Sequence, residues 1–116
     1  MTVLDVCKLL DCQLICGEDN FGDEVLTACG SDMMSDVLAY VKDQSVLLTG
    51  LVNSQVVRTA DMMDMSCIVF VRGKVPSEDM ISLAEQRGIA LMTTQHRMFP
   101  ACGLLWEHGL RGGDSQ

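Results

Sequence analysis

The middle of the chain places a segment of helical periodicity between two short apolar runs. The runs, Val46–Leu48 and Cys67–Val71, each stop at a polar residue followed by a glycine. Runs this short, without alternation, are typical of central parallel strands buried on both faces. Between them, apolar residues recur at helical spacing from Val56 to Met63, and Asn53 is placed to cap the first turn. The pattern predicts a strand–helix–strand unit with a right-handed crossover.

The same arrangement repeats towards the C-terminus. After the second strand, Pro76 and Ser77 favour a helix start, and Gly88 favours its end. Ile89–Met92 then predicts a third parallel strand. A last helix is predicted from about Met98 to Trp106, with Pro100 limiting where it can begin.

The N-terminal third predicts a helix, two strands and a second helix. Thr2 followed by Asp5 resembles a capping box for the first helix. Cys12 to Cys16 and Glu24 to Cys29 are strand-like and are separated by turn residues, which predicts a hairpin or β-arch. The next segment supplies a break and a cap at Gly30-Ser31-Asp32, and the following helix is predicted to end near Lys42-Asp43.

These elements follow in the order α-β-β-α-β-α-β-α-β-α, which predicts a single α/β domain with a mostly parallel sheet and flanking helices. We place the domain at residues 1–108. The segment from Gly109 to Gln116 is Gly-rich and polar, and we expect it to be a disordered tail.

Composition narrows the class of protein. The 116 residues carry a net charge of −8, and the eight Lys and Arg residues are dispersed, which argues against binding nucleic acid. No apolar run approaches the roughly 18 residues of a membrane span, and charges interrupt the N-terminus too early for a secretory signal. We therefore expect a cytoplasmic protein that does not bind membranes.

Cysteine and methionine are unusually frequent. None of the six cysteines makes the C-x-x-C spacing of metal or redox motifs, so we interpret them as reduced thiols serving as small apolar residues and expect neither metal nor cofactor. Nine methionines beside five aromatic residues have two interpretations. Surplus adaptable apolar surface suggests a homodimer interface, whereas irregular core filling would need no partner.

Candidate chemistry lies where the parallel strands end, because ligands of open α/β sheets gather there. Three loops follow the strands, and helix N-termini in such loops favour anions. The functional interpretation is a small anionic or nucleotide ligand; the structural one is that these residues cap helices, form tight turns or face solvent. The candidate ligand-binding residues are Thr49, Gly50, Asn53, Arg72, Gly73 and Lys74.

No catalytic set is recognisable. The chain has no G-x-x-x-x-G-K-[ST] loop and no G-x-G-x-x-G motif. His96, in the third loop, and His108 have no cysteine, serine or carboxylate at a recognisable spacing, so we interpret both as surface residues. We therefore predict a protein without catalytic residues.

Four segments resemble the DRTGG domain, a small module that occurs alone, in regulatory regions of cystathionine-β-synthase-domain pyrophosphatases and in some phosphotransacetylases, and that is related to the N-terminal domain of HPr kinase. The resemblance covers about residues 1 to 107. The segments that carry it are Gly30–Tyr40, Leu47–Ala60, Ile68–Gly73 and Gly88–Thr94.

The resemblance implies a regulatory or ligand-sensing module, often dimeric, that is not itself an enzyme. Gly50 matches the glycine of the motif that names the family, whereas Leu51 and Val52 stand in place of its acid and arginine. Arg72-Gly73 corresponds to the family's second glycine-containing turn. Kinase activity is not implied, because the phosphate loop is missing.

Three functions follow as hypotheses. The first is a non-catalytic regulatory or scaffolding module that acts through homodimerisation and a protein partner. The second is a sensor that binds an adenine nucleotide or another small phosphate compound at the loops around Gly50 and Gly73. The third is a small enzyme that uses His96 or a cysteine.

Overall fold

The computed structural model describes residues 1–41 and 44–112. In that part of the chain, five α-helices surround five β-strands, and a short 3₁₀ turn lies at Glu18–Asn20. The strands are β1 (Gln13–Cys16), β2 (Thr27–Gly30), β3 (Ser45–Thr49), β4 (Cys67–Phe70) and β5 (Ala90–Thr93). The helices are α1 (Val3–Leu9), α2 (Met34–Tyr40), α3 (Ser54–Met62), α4 (Glu78–Arg87) and α5 (Met98–Glu107).

The strands form one mixed sheet in the order β1-β5-β4-β3-β2. Strands β2, β3, β4 and β5 are parallel, with Val46 opposite Cys67 and Cys67 opposite Ala90. Only β1 runs the other way, along the outer edge of β5. The predicted single α/β domain with a mostly parallel sheet is therefore confirmed.

The predicted hairpin or β-arch is wrong, because β1 and β2 form opposite edges of the sheet. The turn residues between them carry the chain beneath α1, where Val3 and Leu4 donate backbone hydrogen bonds to Asp23 and Phe21. In the sheet, β1 pairs with β5, and β2 pairs with β3.

Both faces of the sheet are covered, so alternate strand residues enter two separate cores. In β3, Val46 and Leu48 pack on the α1 and α5 side, whereas Leu47 packs on the α2, α3 and α4 side. All three side chains are completely buried. This explains the unbroken apolar runs in the sequence, because both faces of each central strand lie in a core.

Most predicted helix ends are confirmed. The Thr2–Asp5 capping box forms, the Asn53 and Ser77 side chains cap α3 and α4, and Gly88 ends α4 in the left-handed conformation. The cap predicted at Gly30-Ser31-Asp32 is wrong in part: α2 is preceded by Met33, without a side-chain cap to the helix, and the Ser31 hydroxyl bonds to the Met33 backbone instead. The end predicted near Lys42-Asp43 lies outside the described residues.

The segment after α5 packs along β2. Leu110 is buried, and the Ala28 N–H donates to the Arg111 carbonyl oxygen at 2.9 Å. The boundary at residue 108 and the disorder of the segment as a whole stay predictions, since residues 113–116 lie outside the part described. None of the helices in residues 1–41 and 44–112 is long and apolar enough to span a lipid bilayer.

Candidate functional site

The carboxyl ends of β2, β3, β4 and β5 lie at one rim of the sheet, because these strands are parallel. The loops that follow β3, β4 and β5 meet at this rim, as the sequence predicts. The hydrogen bonds within these loops determine which of their groups are available to a ligand.

The first loop is held by a residue that the sequence interpretation missed. Asp32, after β2, accepts hydrogen bonds at Oδ1 from the Thr49 hydroxyl at 3.0 Å and from the Gly50 N–H at 2.6 Å. The Thr49 oxygen also accepts from the Leu51 N–H at 3.1 Å. The polar groups of Thr49 and Gly50 are therefore occupied in joining two neighbouring loops. Nothing local in the sequence signals this, because the contact depends on β2 lying beside β3.

The second loop turns through two residues with left-handed backbone conformations, Arg72 at φ 60° and Gly73 at φ 68°. Left-handed conformations are uncommon for residues other than glycine. Both N–H groups bond to the third loop: Arg72 to the His96 carbonyl and Gly73 to the Thr94 carbonyl, each at 2.8 Å. The Thr93 hydroxyl donates to the Lys74 carbonyl at 2.6 Å. The turn is therefore tied to β5 and the loop after it.

The Arg72 side chain crosses the rim to Gly50. A β-carbon at Gly50 would meet the Arg72 guanidinium, which shows how closely this flexible, exposed side chain approaches the first loop. Within residues 1–41 and 44–112, no carboxylate forms an ion pair with Arg72, and the side chain is exposed. Its guanidinium is therefore available to an anion.

The other predicted binding residues have more ordinary surroundings. The Asn53 carboxamide oxygen accepts from the Gln55 N–H at 3.0 Å and is committed to capping α3. Lys74 is exposed, and the Gln95 side chain lies against Gly73. The structure thus gathers Gly50, Arg72 and Gly73 at one place, while Asn53 and Thr49 serve the fold.

The thiols are poorly suited to nucleophilic chemistry. All six cysteines are free; Cys16 and Cys67 are buried, and the others are half-buried. Burial raises the pKa of Cys12 to about 12 and raises the pKa values of Cys29 and Cys102 as well. Because the thiolate is the reactive form, these groups are weak nucleophiles at neutral pH.

No metal site is formed by the described residues, where no three His, Cys, Asp or Glu side chains are grouped to hold an ion. The His108 ring nitrogen Nδ1 lies 2.8 Å from the Leu104 carbonyl oxygen. At His96, the backbone N–H donates to the Thr94 hydroxyl at 3.3 Å. Neither contact joins a histidine to an acid or a nucleophile.

Two cavities lie near this rim. A small one of about 210 Å³ is lined by the third loop and the end of α1, including Leu10, Asp11 and His96. A larger one of about 360 Å³ lies along the outer edge of β2, between Gly30 and Arg111. The sequence interpretation missed the larger cavity, because it arises only when β2 is an edge strand.

The fold and site together define a small α/β domain whose rim offers binding groups. Residues 5–105 match the DRTGG domain, so the chain belongs to the DRTGG domain family. This confirms the resemblance seen in the sequence. No curated protein matches the sequence significantly.

A solved structure shares the fold. It is the crystal structure of the CBS and DRTGG domains of the regulatory region of Clostridium perfringens pyrophosphatase, complexed with its activator, diadenosine tetraphosphate. The two are similar with a TM-score of 0.70 and 18% sequence identity over 87% of this chain. The chain spans 44% of the length of that structure's chain.

Proposed function

We propose that the protein is a non-catalytic regulatory or scaffolding module that acts through homodimerisation and a protein partner. Membership of the DRTGG family supports this, as does the similar fold within a region that regulates the Clostridium perfringens pyrophosphatase. Exposed apolar side chains carry the proposal. Phe99 is 88% exposed, Tyr40 74% and Met62 70%.

The face of α5 is the best-supported dimer surface. Phe99 and Trp106 are seven residues apart, which places them on one side of the helix, and both are exposed. Large exposed apolar groups on a small domain mark interaction surfaces when they are contiguous. A twofold dimer uses the same surface on both copies, so a helix face of this kind can pair with itself.

The mass in solution tests the dimer. Light scattering of the full chain at micromolar concentration should give twice the 12.7 kDa of one copy. Phe99→Ser should shift the mass towards one copy, whereas Val75→Ser, at another exposed apolar residue, should not. A wild-type mass near 12.7 kDa would remove the dimer from the proposal.

The sensor hypothesis is the second candidate, and Arg72 favours it. An exposed guanidinium without a described acidic partner, beside Gly50, is a ready anion-binding group. Under this proposal, the phosphate compound contacts the side chains of Arg72 and Lys74 on either side of Gly73, because the Gly50 N–H is already bonded to Asp32. Thr49 and Asn53 hold that loop and its helix in place.

Thermal unfolding with a panel of nucleotides tests the sensor. A ligand at a hundred times its dissociation constant should stabilise the protein by about 2.7 kcal/mol. Arg72→Gln should abolish the shift, while Arg58→Gln, on α3, should preserve it. The absence of a shift with every nucleotide would leave the interaction role alone.

The third hypothesis, a small enzyme, has less support. The raised thiol pKa values count against it, and within the described residues no hydrogen bond joins either histidine to an acid, although Asp11 and His96 line the same small cavity. Such an enzyme needs an activated nucleophile or base.

A further inference from the structure

The cavity along β2 exposes a short piece of strand edge. The Ala28 N–H points away from β3 and donates to the Arg111 carbonyl oxygen, whereas the Ser31 N–H donates to the Leu48 carbonyl oxygen of β3. The backbone N–H and C=O groups of successive strand residues point to opposite edges, so those of Ala28 and Gly30 point to the same outer edge. The Ala28 carbonyl and the Gly30 N–H therefore lie next to each other on the edge that lines the cavity.

The length of this edge decides what kind of ligand fits. An extended peptide adds a strand by pairing over several residues. Here the protein's own Arg111 already occupies the edge at Ala28, and β2 ends at Gly30. Among residues 1–41 and 44–112, the Ala28 carbonyl, the Gly30 N–H and the Gly30 carbonyl are left on this edge, which is about the length of one nucleobase edge.

The order of these groups matches adenine. On adenine, the N6 amino group is a hydrogen-bond donor, and the neighbouring ring nitrogen N1 is an acceptor. The Ala28 carbonyl can accept from N6, and the Gly30 N–H can donate to N1. Hypoxanthine and guanine carry an acceptor at position 6 and a donor at N1, so they present the opposite pattern to the same edge.

The walls suit a flat ring with a charged tail. A ring bonded to a strand edge lies near the plane of the sheet, and Cys102 of α5 lies against Gly30 on one side. One turn further along α5, Trp106 lines the cavity, which also reaches the exposed Tyr40 ring of α2. The cavity volume of about 360 Å³ lies in the range of small-ligand pockets, roughly 300–1,000 Å³.

Arg111 supplies the positive charge. Its guanidinium lies over the Trp106 ring, 3.8 Å from the ring centre, and Nη1 donates to the Trp106 and Leu110 carbonyl oxygens. These contacts hold the side chain at the cavity. Among the described residues only Nη1 has a hydrogen-bond partner, so Nε and Nη2 remain for a phosphate.

From these contacts we infer that the β2 edge is a binding site for an adenine nucleotide. The Ala28 carbonyl and Gly30 N–H hold the base, and Arg111 holds the phosphate. This site is separate from the loops at Gly50 and Gly73, but Tyr40 and Trp106 belong both to its lining and to the apolar surface proposed for the dimer. It rests on the backbone edge, the cavity and one arginine.

Calorimetric titration of the full chain with AMP and IMP provides the test. AMP should bind with a dissociation constant below about 1 mM, and IMP should bind at least about tenfold more weakly, since a single exchanged group reverses its hydrogen bonding. Arg111→Gln should weaken AMP about tenfold and leave adenosine unchanged, as expected for a lost phosphate contact. Arg58→Gln is the matched control. Circular dichroism confirms that each variant is folded.

Equal affinities for AMP and IMP would overturn the inference, as would an absence of saturable AMP binding up to about 5 mM. A loss of AMP binding in Arg72→Gln with full binding in Arg111→Gln would also overturn it, and would favour the sensor site at the rim. Tyr40→Ala provides a second variant at an exposed residue, and it should weaken the binding of AMP and of adenosine by the same factor. The mass measured by light scattering is a separate result, so failure here leaves the dimer proposal intact.

Discussion

Replacing Asp32 by alanine should destabilise the domain more than substitutions at exposed residues usually do. Its Oδ1 accepts from the Thr49 hydroxyl and the Gly50 N–H, and Thr49 is completely buried. Hydrogen bonds to a charged group contribute about 1.5–3 kcal/mol each, and the exposure of Asp32 places the expected loss for the pair at about 2–4 kcal/mol. Because both bonds join the β2–α2 and β3–α3 connections, the rim should loosen as well.

Urea unfolding followed by circular dichroism measures this loss. Asp32→Asn keeps the accepting oxygen and should lose about half as much, since only the charge is removed. In a Thr49→Val background, Asp32→Ala should cost about 1–2 kcal/mol, because one of its two donors is already gone. If Asp32→Ala unfolds within about 0.5 kcal/mol of the wild type, the bridge does not stabilise the domain and this reasoning fails.

Three further outcomes are expected. Gly17→Ala should cost about 2–4 kcal/mol in urea unfolding, because Gly17 has φ 94° and a β-carbon there would lie 2.5 Å from the Ala90 Cα; no loss would contradict this packing. Gly103→Ala, where a β-carbon meets nothing within 4 Å, should instead stabilise α5 by about 0.5–1 kcal/mol, and destabilisation would argue against an open helix face. Burial raises the pKa of Cys12 to about 12, so above about pH 9 the unfolded chain loses this proton while the folded chain keeps it. The free energy of unfolding should therefore fall between about pH 9 and 12, and it should fall less steeply in Cys12→Ala.

The sequence predicted the central sheet because both faces of β3, β4 and β5 are buried. Continuous apolar runs such as Val46–Leu48 leave few other structures, and Asn53, Ser77 and Gly88 marked the helix ends correctly. The edge strands were harder. Only Cys16 of β1 is buried, and no residue of β2 is, so their partners depend on which sheet edges remain free.

The candidate sites divide in the same way. The approach of Arg72 to Gly50 joins loops that follow predicted parallel strands, so the sequence could bring them together. Asp32 and the cavity between Gly30 and Arg111 could not be predicted, because both depend on β2 lying beside β3 with its other edge open. The local patterns of β1 and β2 do not indicate which edge of the sheet each strand occupies.

Nitrogen–proton correlation spectra recorded during an AMP titration test most directly whether this domain acts by binding a ligand at the β2 edge. The account predicts saturable shifts of the Gly30 amide and the Trp106 indole, while the Gly50 and Gly73 amides stay unchanged. Shifts centred on Gly50 and Gly73, or no saturable shift at all, would contradict it.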